Sequence, residues 1–370
     1  MVKVAIVHDF LTTYGGAERV VSQLHELYPS APIYTLIADP HLLREHFPAA
    51  TVHTSALDRS WFRSRPKLLL TRMPQAVESF DLTEYDVVIS SSGAFSHGII
   101  TGPHTTHICY CHSPMRYAWD WHAEYLDEKK LRGLPRFIAE LAISRVRSWD
   151  ALAAKRVDLW LANSTVVRDR IAKYYRANST VVFPPVNVEF FGPARVRPAA
   201  AQAYAISVSR LTPNKRIDLI IQACISLNVP LHIVGSGEDM ARLKALAAGN
   251  ELITFTGPLS EEGKRNELNG ASCFVFAAED DFGIAPVEAM SLGVPVIAYG
   301  KGGALDTVLD GKNGIFFDEP NAASLTSALG IFLKSGVSMP PEEIRVTALR
   351  FSEQSFKKNI TSIVTHATVR

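Results

Sequence analysis

The sequence predicts an α/β protein made of two doubly wound units. Three observations carry that expectation. Short apolar runs of strand length alternate with segments whose apolar residues recur at helical spacing. The alternation restarts after a Pro- and Ala-rich stretch, "FGPARVRPAAAQA", at 191–203. The chain has 370 residues, which suits two domains of ordinary size. Strand–helix alternation of this kind implies parallel sheets covered on both faces.

In chain order, Val2 to Val7 reads as a buried strand and "GGAERVVSQLHELY" as the first helix. Further strands are expected at 85–92, 107–113, 157–164 and 179–185, with a long helical region around 127–156. After the linker candidate, "YAISVSR", "PLHIVGSG", "LITFTGPLS", "SCFVFAAE" and "VPVIAYG" read as strands. "RIDLIIQACISL", "EDMARLKALAA", "EEGKRNELNGA" and "PVEAMSL" read as the helices between them. The segment 352–370 reads as a helix that packs back on the first domain. The expected domains are therefore 1–190 and 200–350.

Composition narrows the function. Hydrophobic residues are 47% and charged residues 20%, a globular balance. A net charge of +1 gives no general case for nucleic acid. The four cysteines, Cys109, Cys111, Cys224 and Cys273, are too few for a disulfide scaffold and suit a reducing cytoplasm. Cys109 and Cys111 alternate in an apolar run, so both point to one face of a strand as buried thiols or as half of a metal site. No secretory signal opens the chain and no apolar run reaches ~18 residues, so no membrane span is expected.

Ligands of doubly wound domains sit at the carboxyl ends of the strands, and two such domains facing each other make a cleft. The polar features fall at those ends. In "TTYGGAER", Gly15 and Gly16 open the first helix, where free N–H groups suit a phosphate or simply close a strand–helix turn. "VGSGEDM" is a partial Gly-x-Gly-x-x-Gly and more often a turn. In "SRLTPNKR", Arg210 and Lys215 offer two cations for a diphosphate, or a solvated basic turn. His112, in "YCHSPMRYAWD", suits a contact to a substrate hydroxyl or acid/base work, or a structural role.

"EDDFGIAPVEAMSLGVPVIA" begins with three carboxylates, Glu279, Asp280 and Asp281. Pro286 suits the first helical position and Gly293 the stop. The backbone N–H groups of Gly283, Ile284 and Ala285 then point at a ligand, with carboxylates on both sides. Phosphate oxygens and vicinal sugar hydroxyls match that set. Glu288 has a second reading as a helix-dipole partner, and the triplet as a solvated turn or an Asp-x-Asp metal site lacking further ligands. A nucleotide sugar satisfies all these features together.

On these residues the chain resembles the retaining glycosyltransferases of family 4. The most specific element is the acid-x7-Glu pair with Phe-Gly between and "EAMSLGVPVI" after it. "GGAER", "YCHSP" and "SRLTPNKR" follow the family order, and the likeness spans nearly the full length. "HDFLTTYGGAERV", "CHSPMRYAWD" and "AYGKGGALDTV" look most like the mannosyltransferases of bacterial O-antigen and exopolysaccharide assembly.

The resemblance implies the GT-B fold, two Rossmann-like domains facing a central cleft, with the acceptor on the first and the nucleotide sugar on the second. It implies that Gly15 and Gly16 contact the donor diphosphate or sugar and that His112 lies beside the transferred sugar. Arg210 and Lys215 would stabilise the leaving diphosphate, and Glu288 would hold the ribose. The first acid falls on Asp280, where the family usually has Glu, so either the loop closes in or Glu279 shares the role. The implied donor is GDP-mannose, with no metal or other cofactor required. The acceptor proton would go to the departing phosphate on the same face. No carboxylate pair suited to double displacement is visible.

Two stretches mix basic and apolar residues, 59–73 and 129–147. They suit either an anionic membrane surface or amphipathic helices with buried faces. A polyprenyl-diphosphate-linked saccharide acceptor at the inner face of the plasma membrane fits the first reading. A UDP-sugar transferase, a nucleotide-sugar 2-epimerase and a non-catalytic assembly partner remain the alternatives.

Overall fold

In the computed structural model, which describes residues 2–59, 70–128, 130–192 and 203–368, β1 runs Val4–Leu11. Alternate side chains go to opposite faces: Val4 and Ile6 join one core and Ala5 and Val7 another. Burial on both faces explains why the strand reads as a continuous apolar run. The strand outlasts the expected end at Val7 because His8 and Asp9 are themselves buried and internally paired.

The chain divides into two units, Met1–Pro185 with Phe356–Arg370, and Val186–Ser355. The first unit contains β1, β2 (Ile33–Ala38), β3 (Val52–Thr54), β4 (Val87–Ser92), β5 (Thr106–Cys111), β6 (Leu159–Ala162) and β7 (Ser179–Val181). All pair in parallel, in the order β3-β2-β1-β4-β5-β6-β7. The order reverses between β1 and β4, which is the topological switch point. The helix Glu353–Thr368 buries Phe356, Ile360 and Val364 in this unit's core.

The second unit contains β8 (Ala205–Val208), β9 (Leu231–Val234), β10 (Ile253–Gly257), β11 (Cys273–Phe276), β12 (Val296–Tyr299) and β13 (Gly314–Phe317). These are also parallel, in the order β10-β9-β8-β11-β12-β13, with the switch point between β8 and β11. Ile233, Val275, Ile297 and Phe317 pack with Leu219, Leu243 and Leu325 from the flanking helices.

Several elements differ from expectation. β2, β3 and β13 were not anticipated. The helical region 127–156 is broken into His122–Glu128 and Gly133–Ala153, with positive φ at Lys130 (52°) between them and at Gly133 (58°), where the second begins. The helix after the acidic triplet spans Ile284–Ser291, so Pro286 is its third residue rather than its first. Its missing N–H is harmless there, because first-turn N–H groups have no partner inside the helix. Gly293, with φ of 75°, donates its N–H to Met290 O and Val294 donates to Ala289 O, the Schellman pattern. Residues 193–202 of the linker candidate lie outside the described residues.

Candidate active site

In the first unit the polar cluster forms at the carboxyl ends of β1, β4 and β5. Asp9 is 6% exposed. One of its oxygens accepts the N–H groups of Gly93 (2.7 Å) and Ala94 (2.8 Å), the other those of Phe95 (2.7 Å) and Ser96 (2.7 Å). These four hydrogen bonds satisfy the buried carboxyl group and fix the loop leaving β4.

His8 points to the other side of the strand. Its Nδ1 lies 2.9 Å from Ser91 O and its Nε2 3.5 Å from Glu18 Oε1. Burial on its own would lower the His8 pKa. The Glu18 hydrogen bond, the charges of Asp9 and Glu18 and the Ser91 carbonyl outweigh burial, so the pKa is raised. Glu18 shifts the opposite way: burial is outweighed by the His8 hydrogen bond and charge and by backbone N–H groups, and its pKa is lowered.

Glu18 is the third residue of the helix Gly16–Leu27, and its Oε2 accepts the Gly15 N–H at 2.8 Å. The Gly15 N–H is thus engaged within the protein, while Gly16 and Ala17 supply first-turn N–H groups. His112 follows β5 directly. Its N–H donates to Ser92 O at 2.7 Å, and its Nε2 is 2.7 Å from Ser91 Oγ. The structure therefore joins two of the expected site residues, Gly15 and His112, through Glu18, His8 and Ser91. Sequence reading did not single out these three, nor Asp9. The available signal was a His-Asp pair closing an apolar strand and a Glu three residues after Gly15.

In the second unit Arg210 is exposed beyond β8, and Lys215 ends the short turn Pro213–Lys215. Lys215 Nζ is hydrogen-bonded to Asp280 Oδ2. The pair is about one-fifth exposed, 21% and 22% for the two side chains. Asp280 follows β11, so the pair spans the switch point. The acidic loop is held by close glycine contacts. Gly303 donates its N–H to Asp280 O at 2.8 Å, and a Cβ on Gly302 would stand 2.4 Å from that oxygen. Gly283, with φ of 89°, caps the helix Ile284–Ser291, whose first N–H groups belong to Ile284 and Ala285.

Glu288 is buried, and its Oε1 receives Lys264 Nζ at 2.8 Å. Lys264 also reaches Glu261 Oε2 at 3.0 Å. Sequence reading missed Lys264. It lies in "EEGKRNELNGA" at a position that looks like an ordinary helical surface residue. The glycines of "VGSGEDM" have a structural use: a Cβ at Gly237 would fall 2.1 Å from Leu211 O. Cys109 and Cys111 share one buried face, and burial pushes the Cys109 thiol up. Among the described residues, no three His, Cys, Asp or Glu side chains gather as a metal site.

Each unit is a Rossmann-like parallel sheet with polar side chains at its switch point. Residues 14–190 match the family model described as Glycosyltransferase Family 4, and residues 193–345 match that described as Glycosyl transferases group 1. The two matched regions follow one another along the chain, and the fold is the GT-B glycosyltransferase fold.

Relatives agree. The GDP-mannose-dependent alpha-(1-6)-phosphatidylinositol monomannoside mannosyltransferase of Mycolicibacterium smegmatis is 29% identical over 220 residues, 50% of this chain and 58% of that protein. The alpha-1,3/1,6-mannosyltransferase ALG2 of Mus musculus is 24% identical over 198 residues, 46% of this chain and 48% of that protein. The matched regions span 58% and 48% of these two relatives, about half their length. Among solved structures, HepE of Anabaena in complex with UDP has a TM-score of 0.72 at 16% identity, covering 98% of this chain and 100% of that one. Sucrose-phosphate synthase of Thermosynechococcus elongatus has a TM-score of 0.75 at 16% identity, covering 99% of each chain.

Proposed function

We propose that the protein transfers mannose from GDP-mannose to a lipid-linked saccharide with retention of configuration, in the making of a cell-surface polysaccharide. The observation that carries this reading is the cationic and acidic set at the second switch point: Arg210, Lys215, Asp280 and the N–H groups of Gly283 to Ala285. Arg210 and Lys215 suit the charge that grows on a departing diphosphate. Asp280 then receives the transferred sugar's hydroxyls, and Lys264 holds Glu288 for the ribose. His112 belongs beside the sugar. In the reaction the bond from the sugar's anomeric carbon to the diphosphate breaks. A bond to the acceptor oxygen forms on the same face, and the acceptor proton passes to a phosphate oxygen.

Residues 1–190 would serve the acceptor and 200–350 the nucleotide sugar. The mannosyltransferase relatives support the sugar and, in one case, the donor. The UDP bound to HepE favours a second reading, a UDP-hexose donor.

The acceptor's lipid implies a membrane surface. No described helix is long and apolar enough to cross a membrane. The helix Gly133–Ala153 instead exposes Leu134 (69%), Phe137 (63%), Ile138 (57%) and Leu141 (45%) on one stripe. Exposed Lys130, Arg132 and Arg145 lie near it, which suits the inner, anionic face of the plasma membrane. Of the other stretch, 59–73, residues 60–69 lie outside the described residues.

Calorimetric titration with GDP, UDP and ADP, with and without EDTA, tests the donor. Preferred GDP binding that EDTA leaves unchanged is expected. Preferred UDP binding would replace GDP-mannose by a UDP-hexose.

A further inference from the structure

Ser91 lies fully buried near the end of β4, between β1 and β5. The parallel register sets it opposite His8 on one side and Tyr110 on the other. His112 comes two residues after Tyr110 and so projects to the same face. These placements bring two imidazoles to one serine. His8 Nδ1 is 2.9 Å from Ser91 O and 3.2 Å from Ser91 Oγ, and His112 Nε2 is 2.7 Å from the same Oγ.

The proton positions follow from chemistry. A carbonyl oxygen only accepts, so His8 Nδ1 carries a hydrogen and donates it to Ser91 O. The same carbonyl accepts the Ser96 hydroxyl at 2.9 Å. His8 Nδ1, being protonated, cannot accept from Ser91 Oγ. Among the described residues, the acceptor left for the Ser91 hydroxyl is His112 Nε2. At its other end His8 faces Glu18, which holds the Gly15 N–H. The hydrogen bond at one ring nitrogen decides where the proton sits on the other.

We propose that the row Glu18–His8–Ser91–His112 fixes neutral His112 with its proton on Nδ1, making it a hydrogen-bond donor to the transferred sugar rather than a base. The sugar contact rests on the functional reading above; the tautomer does not. Ser91 and His8 are positioning residues that act through His112, and Glu18 ties the row to the glycine turn.

The test uses the full chain with nitrogen-15 histidine at a pH of about 8, where an unperturbed imidazole is neutral. Long-range proton–nitrogen correlation reads the tautomers, and His112→Gln identifies the His112 signals. Expected are a protonated Nδ1 and an unprotonated Nε2, with the Nε2–H form becoming populated in Ser91→Ala. A protonated Nε2 in the unmodified protein, or an unchanged pattern in Ser91→Ala, would overturn the proposal. If Ser91→Ala does not fold, Ser91→Cys, with its weaker S–H donor, must raise the Nε2–H population, and no change there also overturns it. Saturation with GDP-mannose or UDP-glucose should move the Nδ1–H signal. If both leave it in place, the sugar contact and the functional reading behind it fall, while the tautomer result stands.

Discussion

Lys264 Nζ sits 2.8 Å from Glu288 Oε1, and the two side chains are 11% and 3% exposed. A carboxylate this deep needs its cation, and the cation comes from a neighbouring helix. Removing one member of a buried pair costs about 3–5 kcal/mol. Lys264→Ala should therefore lower the unfolding free energy by that order in urea denaturation, and Lys264→Met with Glu288→Gln should lose much less. A loss under about 1 kcal/mol for Lys264→Ala would mean that the pair is not buried in solution.

Asp9 offers a second stability test. Its carboxylate accepts four backbone N–H groups, from Gly93 to Ser96. Asparagine has the same shape but turns one acceptor into a donor facing N–H groups. With ~1.5–3 kcal/mol for each hydrogen bond to a charged group, Asp9→Asn should cost about 3 kcal/mol or more. Denaturation midpoints with an unchanged slope check this.

The His8–Glu18 pair sets a pH dependence. The His8 pKa is raised above 6.5 in the folded state, so its contribution is complete below 6.5 and disappears as pH rises through the folded value. The Glu18 pKa is lowered below 4.5, so its contribution is present above 4.5 and disappears as pH falls through the folded value. Stability from this pair is therefore greatest between 4.5 and 6.5. Glu18→Gln should flatten the decline on the alkaline side. Urea titrations across pH would show the same slope in both proteins if the pair were unimportant.

Substitutions at Lys215 and Asp280 separate nucleotide binding from transfer. Lys215→Ala should reduce transfer by ~100-fold or more, the usual cost of losing a donor to developing charge. Asp280→Asn removes a negative charge from beside the expected diphosphate. It should tighten binding of the free nucleotide while slowing transfer. Equal loss of both quantities in Asp280→Asn would assign the residue to nucleotide binding instead.

The exposed stripe on the helix Gly133–Ala153 separates surface from core. Phe137→Ser with Ile138→Ser should change unfolding free energy by less than about 0.5 kcal/mol. The same change should abolish sedimentation with vesicles rich in phosphatidylglycerol. Unaltered sedimentation would locate membrane contact elsewhere.

Ten of the thirteen described strands were legible, because strands buried on both faces keep an unbroken apolar signature, as in "VAIV" and "CFVFAA". The helix stop at Gly293 was legible for a local reason, a left-handed residue that glycine adopts without strain. Asp9, Ser91 and His8 were not. Their burial depends on partners about eighty residues away, with separations of 83 to 87 along the chain. A strand read by its apolar residues stops where such polar residues begin. Lys264 was hidden for the same reason, since its partner lies 24 residues on. Lys215 and Asp280 were each legible, but not their ion pair, which depends on β8 and β11 being neighbours.

The helix Glu353–Thr368 has a consequence for how the protein comes into being. Phe356, Ile360 and Val364 belong to the core around β1, and Tyr110 meets Phe356 edge-on at 5.6 Å. A ribosome delivers those residues only after the whole of Val186–Ser355. Domains usually mature in the order of synthesis. Here the first sheet must wait, with an apolar groove uncovered, while the second unit is translated and has time to fold. The unit that begins first is completed last, and a nascent chain stalled in the second unit leaves the first in need of a chaperone's cover.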